Sequence, residues 1–169
     1  MHPQHSTALT EALSDIGVSV EHTELAALPA HLDEIVESPA VGVSIPFAPD
    51  ALEEAGVVEN PTPTELTSAN TGVTPARFAI AEYGTLAIAS TEAGDEPVSL
   101  YPPKHVAVVA ESDIYPDIGA AFDRLAAEFA DGTDSIVFAT GASATADMGK
   151  LVEGVHGPRE VHAIIVTDI

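Results

Sequence analysis

Two apolar runs only four residues apart set the first limit on how this chain can fold. In the stretch FAIAEYGTLAIAS, Phe78–Ala81 and Leu86–Ala89 flank Glu82-Tyr83-Gly84-Thr85. Each run has the length of a buried strand, and the link is far too short for the crossover that parallel strands need. These two strands must therefore pair antiparallel. The other apolar runs, Val106–Val109, Ile136–Ala139 and Val161–Val166, are almost unbroken and are separated by helical patterns. Unbroken apolar strands alternating with helices point to a parallel sheet covered on both faces. The expectation is one α/β domain over residues 1–169 with a mixed, mostly parallel sheet.

The remaining segments are read from spacing and turn residues. Residues 1–37 look helical and polar, with Leu9, Leu13 and Ile16 in helical register and a weaker set from Leu25 to Val36 broken by Pro29. Val41–Ile45 is a short strand ended by Pro46, and Asp50–Ala55 makes one or two helical turns. Val57–Pro63 reads as a loop, followed by a short helix over Thr64–Asn70 with Thr64 as its cap. Glu92–Val98 also reads as a loop, because it holds Gly94, Asp95 and Pro97. Ile118, Phe122, Leu125 and Phe129 mark one face of the clearest helix, which Gly132 ends. Thr140–Ser143 is expected to lead into a helix from about Ala144 to Glu153, stopped by Gly154.

Charge excludes whole classes of partner. There are 27 acidic and 5 basic residues, for a net charge of −22. Nucleic acid and anionic membrane surfaces need clustered Lys and Arg, which this chain lacks. The acids are dispersed rather than gathered in a tail, so they repel one another until salt screens them. That pattern predicts a halophilic origin, with an acidic surface for a basic partner as the other reading. There is no cysteine, which rules out disulfides, thiolate-held clusters and a cysteine nucleophile. The start MHPQHSTALTEALSDIG has no signal-peptide pattern, and no run approaches the length of a membrane span. A soluble, cytoplasmic protein is expected.

Four polar turns beside the strands carry the candidate chemistry: AEYGT (81–85), YPPKH (101–105), TGASATAD (140–147) and VHGPRE (155–160). They are expected to converge beyond the strand carboxyl ends, where open α/β sheets bind ligands. Gly141 would let a ligand approach backbone N–H groups at a helix start, or the turn is simply capped by Ser143 or Thr145. Lys104 and Arg159 fall inside these turns, which suggests a positive spot for an anionic ligand; pairing with neighbouring acids is the alternative. No histidine pair has metal-ligand spacing, so no metal site is assigned. His156 is either a general acid or base or a lock on its turn. Glu82 follows a buried strand, where an unpaired carboxylate is costly. It is either a brace for the Tyr83–Thr85 turn or a nucleophile or base.

In order and spacing, GVTPARFAIAEYGTLAIAS, LYPPKHVAVV and TGASATADMGKLVEGVHGPREVHAIIV resemble the LUD-domain family, the LutC/YkgG group of lactate-utilization proteins, over residues 71–167. The resemblance implies a three-layer, Rossmann-like fold of the NagB/RpiA/CoA-transferase kind. It also implies a subunit of a machine that oxidises L-lactate to pyruvate, with iron–sulfur clusters held by partner subunits. Glu82, Gly84 and Thr85 match the family's AExGT block, and Pro102, Pro103 and His105 its PPxH block. Thr145, Ala146 and Asp147 match TAD, and His156, Gly157, Pro158 and Glu160 match HGPxE. With Tyr83, Lys104, Gly141, Ser143 and Arg159 these supply the candidate ligand- or cofactor-binding set; no cofactor is identified. Glu82 is the candidate catalytic residue, by analogy with the catalytic glutamate of CoA transferases. Gly141-Ala142-Ser143-Ala144 stands where the family usually carries GPSR or GPSK, so a cation is missing there. Two other readings stay open: an enzyme acting on a small anionic or CoA-linked substrate, and a metabolite-binding regulatory domain. Self-association into a homo-oligomer is also open.

The dispersed acids generate one measurable expectation. The melting temperature rises steadily with KCl, as the screening length falls from about 10 Å at 0.1 M to about 3 Å at 1 M. A melting temperature that does not move over that range sinks the self-repulsion reading.

Overall fold

The computed structural model describes residues 3–169. Its elements run α1 (Pro3–Asp15), β1 (Ser19–Thr23), a 3-10 turn (Leu25–Ala27), α2 (Leu28–Ile35), β2 (Ala40–Gly42), α3 (Ala51–Glu54), β3 (Val58–Glu59), α4 (Pro63–Ser68) and β4 (Thr71–Pro75). Then come β5 (Phe78–Ile80), a 3-10 turn (Ala81–Tyr83), β6 (Thr85–Ala89), α5 (Asp95–Leu100), β7 (Lys104–Ala110), a 3-10 turn (Glu111–Asp113), β8 (Ile114–Tyr115) and α6 (Ile118–Ala130). The last strands are β9 (Ile136–Ala139), β10 (Ala144–Thr145), β11 (Val152–Glu153) and β12 (Glu160–Val166).

Six strands form the central sheet in the order β1-β12-β7-β4-β2-β3, every pair parallel. Its inner strands are apolar on both faces. Val106, Val108, Ile164 and Val166 pack with Leu28, Leu32, Ala51 and Leu52 from α2 and α3. Ala107, Val109, Ala163 and Ile165 pack the other way, with Leu9 and Leu13 of α1 and with Ala79, Leu86 and Ile88. This is the α/β class with a mostly parallel sheet that the unbroken apolar runs predict.

The antiparallel pair lies elsewhere. β5 and β6 belong to a separate sheet, ordered β8-β5-β6-β9, which covers one face of the central sheet. Alternation explains why it can serve as a layer. Ala79, Leu86 and Ile88 face the central sheet, while Phe78, Ile80 and Ala87 face Ala121, Ile118 and Leu125 of α6. The single mixed sheet expected from the sequence is thus two stacked sheets with helices outside both.

Four local expectations are corrected. The region read as wholly helical contains β1, an edge strand whose polar residues conceal its pairing with β12. α4 is capped by Thr62, not Thr64: the Thr62 hydroxyl accepts the Glu65 N–H while the Glu65 carboxylate takes the Thr62 N–H, and Pro63 opens the helix. Glu92–Val98 runs into α5, because Pro97 sits in the first turn, where its missing N–H costs no helical bond. No helix spans 144–153. A small antiparallel pair, β10 and β11, stands there, turned by Gly149 at φ 78° with its N–H donated to the Ala146 carbonyl. Met148 and Leu151 are exposed, so no apolar face exists that would hold a helix down. Among the described residues, no helix is long and apolar enough to cross a membrane.

Gly72 fixes how α5 sits on the central sheet. A Cβ built on Gly72 would stand 2.0 Å from the Val98 carbonyl oxygen. Backbone cannot yield there as a flexible side chain would. Gly72→Ala should therefore lower unfolding stability by about 2 kcal/mol or more, read as a lower urea midpoint at unchanged slope. A variant as stable as the parent would mean that α5 does not lie against β4.

Candidate functional site

A cavity of about 180 Å³ opens at the amino-terminal ends of β7 and β12. His105 enters it from β7, Ser99 and Leu100 from the end of α5, Gly141 and Ser143 from the turn after β9, and His156, Gly157 and Pro158 from the approach to β12. A wider groove of about 360 Å³ adjoins it, sharing Leu100, His156 and Gly157 and extending past the exposed ring of Tyr101.

Backbone hydrogen bonds hold these segments together. Ser143 N–H donates to the Pro158 carbonyl at 2.9 Å, and Gly154 N–H to the Ser143 carbonyl at 2.8 Å. The Arg159 and Glu160 N–H groups both donate to the Pro103 carbonyl, at 2.8 and 3.1 Å. Gly157 permits the closest approach: a Cβ there would lie 3.1 Å from the Ser143 Cβ. Three stretches distant in sequence therefore form one wall.

The cavity's polar groups are Ser99, His105, Ser143 and His156; no lysine or arginine lines it. His105 is almost wholly buried, with its Nε2 2.8 Å from the Thr74 hydroxyl. Burial pushes its pKa down to about 4, so at neutral pH the ring is uncharged. Val137, Ala139 and Val161 make the apolar part of the wall. Such a site suits a small ligand held by neutral hydrogen bonds, since a multiply charged group would be desolvated without a counter-charge.

The structure brings together His105, Gly141, Ser143, His156 and Gly157 of the sequence-derived set. Thr85 stands next to them, its hydroxyl 2.8 Å from that of Thr140. The remaining turn, AEYGT, does not line the cavity. Glu82 is exposed in its 3-10 turn, and its N–H donates to the Pro116 carbonyl at 3.0 Å. Its carboxylate lies beside the exposed Tyr83 phenol and raises that group's pKa by its charge and a hydrogen bond. The expectation of a buried, costly carboxylate fails because the chain leaves the sheet immediately after Ile80. Gly84, at φ 62°, is needed for a different reason: a Cβ would stand 3.0 Å from the backbone of Leu13 in α1.

The cations of the turns do not line this cavity. Lys104 Nζ sits 3.1 Å from Glu160 and 3.4 Å from Glu37. Arg159 is exposed and lies over Gly154, where a Cβ would meet its Cγ at 1.9 Å. Pro103 contributes its carbonyl to the frame, and Asp147 is exposed in the β10–β11 turn, its N–H donated to the Thr145 hydroxyl. The expected site at the strand carboxyl ends is also corrected, because YPPKH and VHGPRE precede β7 and β12 rather than follow strands. Ser99, which lines the cavity, and Thr74, which hydrogen-bonds His105, are neighbours that the sequence conceals. α5 carries no helical pattern strong enough to place Ser99, and nothing in the spacing pairs Thr74 with His105.

The LUD domain family model matches residues 50–166. Lactate utilization protein C of Bacillus velezensis is 36% identical over 104 residues, covering 59% of this chain and 43% of that protein. Lactate utilization protein C of Deinococcus radiodurans is 30% identical over 164 residues, covering 92% of this chain and 76% of that protein. The chain thus spans less than half the length of the Bacillus relative. A solved structure, that of a DUF162 family protein from Deinococcus radiodurans, superposes with a TM-score of 0.75 at 23% identity and covers 97% of both chains, which supports the fold.

The buried imidazole has a defined pH signature. Its pKa is about 4 folded and about 6.5 unfolded, so the unfolded chain binds the extra proton between those values. The stability that His105 contributes is present above pH 6.5 and is lost as pH falls toward 4, by up to about 3 kcal/mol. Carboxylate protonation relieves repulsion over part of the same range, so the measurement is a difference. The unfolding free energy of the parent minus that of His105→Gln should shrink between pH 7 and pH 4. A difference independent of pH refutes the buried neutral ring.

Proposed function

The chain belongs to the LUD domain family, and on that premise we propose that it serves lactate utilization by binding a small monocarboxylate in the cavity around His105 and His156. Partner proteins that carry iron–sulfur clusters supply the electron chemistry. The observation that supports this reading is the meeting of three sequence blocks, PPKH, TGAS and HGP, on one cavity of about 180 Å³. That volume suits a ligand of lactate's size rather than a nucleotide. Ser143 and the two imidazoles offer hydrogen bonds to a carboxylate or keto oxygen, Ser99, whose hydroxyl donates to the Glu96 carbonyl, can accept from a ligand hydroxyl, and the apolar wall accepts a methyl group. A chain without cysteine leaves thiolate-held clusters to other subunits. No chemical step is assigned to Glu82, whose carboxylate is exposed and engaged with Tyr83.

In molar KCl, L-lactate or pyruvate should raise the melting temperature of the parent protein by mass action. His156→Ala should lose most of that rise, and Glu82→Gln should keep it. An undiminished rise in His156→Ala removes the ligand from this cavity. The partner half is tested separately: tagged protein purified in high salt from lactate-grown cells should carry iron–sulfur proteins with it, and its recovery alone refutes the assembly.

A further inference from the structure

The central sheet has a second end, and its topology singles out one point there. From β2 the chain passes through α3 to β3, on one side of the sheet order. From β4 it passes through β5, β6 and α5 to β7, on the other side. The two connections also cover opposite faces, since Ala51 and Leu52 pack on one and Ala79, Leu86 and Ile88 on the other. β2 and β4 are neighbours, so the loops leaving their carboxyl ends diverge and leave a crevice between them. Open α/β sheets bind ligands at such switch points.

A cavity of about 110 Å³ lies there, lined by Pro46 and Phe47 after β2, Ala76 and Arg77 after β4, Asp113 after β7, and Arg124 of α6. Two of the chain's five cations thus converge on one small space. Arg124 carries most of the pairing here: it lies 2.7 Å from Glu128 and 3.4 Å from Asp113, and it donates to the Arg77 carbonyl. Arg77 is held more loosely, since among the described residues its guanidinium has a single ion pair, at 3.8 Å to Glu128. The Nε of each arginine is buried with no hydrogen-bond partner. A guanidinium has five donors in a fixed fork that matches a carboxylate or phosphate. Two arginines face one lining acid, Asp113, in this crevice, while Glu92, Asp131 and Asp134 share a separate groove with Arg77, so within the crevice an anion meets two cations in a chain of net charge −22. Burial also raises the Asp113 pKa, which favours its uncharged form.

We propose that the crevice between the carboxyl ends of β2 and β4 is a separate oxyanion-binding site in which Arg77 holds the carboxylate or phosphate head of a small ligand. The head fits about 110 Å³. Phe47 also lines a neighbouring groove of about 230 Å³ whose apolar part is made by Leu25, Pro29 and Ala51 and whose rim carries Asp50 and Glu54, so a short apolar body can lie beyond the head. This site is independent of the cavity at the amino-terminal end and shares no lining residue with it.

Amide NMR titrations of the parent chain, at fixed KCl, with inorganic phosphate and separately with butyrate test the proposal and say which oxyanion is preferred. At least one probe should give saturable shifts centred on Phe47, Ala76 and Arg77, with none at His105 or Gly157. Arg77→Gln should weaken that probe at least about tenfold, the loss expected for a charge-assisted hydrogen bond. Arg77→Lys should weaken it less, and His156→Ala should leave it unchanged. The site is refuted if neither probe saturates, if the shifts gather at His105 and Gly157, or if Arg77→Gln, folded by its melting curve, binds as the parent does. The map on the parent protein decides the question even if the variant does not fold.

Discussion

A parallel sheet that is apolar on both faces cannot stand alone, and that requirement organises the rest of this molecule. The side chains of β7 and β12 alternate into two cores, so each face must be covered. α2 and α3 cover one face. The other is covered by α1 and by a whole second sheet, whose own outer face then needs α6. Each layer exists because the previous one exposed apolar surface, which is why short strands such as β5 and β6 are stable here though they would not be alone.

Layering also decides where chemistry can occur. The faces of the central sheet are covered, so the openings beside it lie at the two ends of its strands. At the amino-terminal end, α5, the turn after β9 and the approach to β12 arch over His105 and leave a neutral, partly apolar cavity. At the carboxyl-terminal end, the diverging loops after β2 and β4 leave a crevice carrying arginine. The sequence blocks that are distinctive in type gather at the first end, while the topological rule for open sheets points to the second. The two ends present different groups, imidazoles and hydroxyls at one and arginines at the other, and so differ in the ligand each can desolvate without penalty.

Much of the fold was legible because periodicity reports burial directly. The runs at 106–109, 136–139 and 161–166 and the stripe from Ile118 to Phe129 became β7, β9, β12 and α6. What stayed hidden was set by context. β1 pairs through its backbone on one edge while its side chains remain polar. α5 tolerates Gly94 and Pro97 because both sit at its start. The 144–153 segment has helix-stopping glycines at sensible places but no apolar surface beneath it. The site was legible in part for the same reason. Residue type singled out His105, Ser143, His156 and Gly157, but only tertiary pairing brings in Thr74 and Ser99. Glu82 shows the limit of inferring burial from sequence neighbours, since one 3-10 turn after a buried strand is enough to put a carboxylate in solvent.

The placement of two of the five cations, Lys104 and Arg124, follows from the same logic. In a chain with 27 acids, a lysine or arginine at a random surface position finds an acid nearby at little cost and contributes little, because exposed pairs are weak. Lys104 and Arg124 instead stand where acidic side chains from separate segments would otherwise crowd: Glu37 and Glu160 around the first, Asp113 and Glu128 around the second. Each cation there relieves repulsion between two acids and ties together parts of the chain far apart in sequence. Among the described residues the exposed Lys150 and Arg159 make no ion pair, and Arg77 is placed differently. Its one acid is already bonded at 2.7 Å by Arg124, so its charge adds little to holding the fold together. Arg77 thus stands at the carboxyl-terminal crevice with a charge that the fold uses only weakly, and that charge is open to a ligand there.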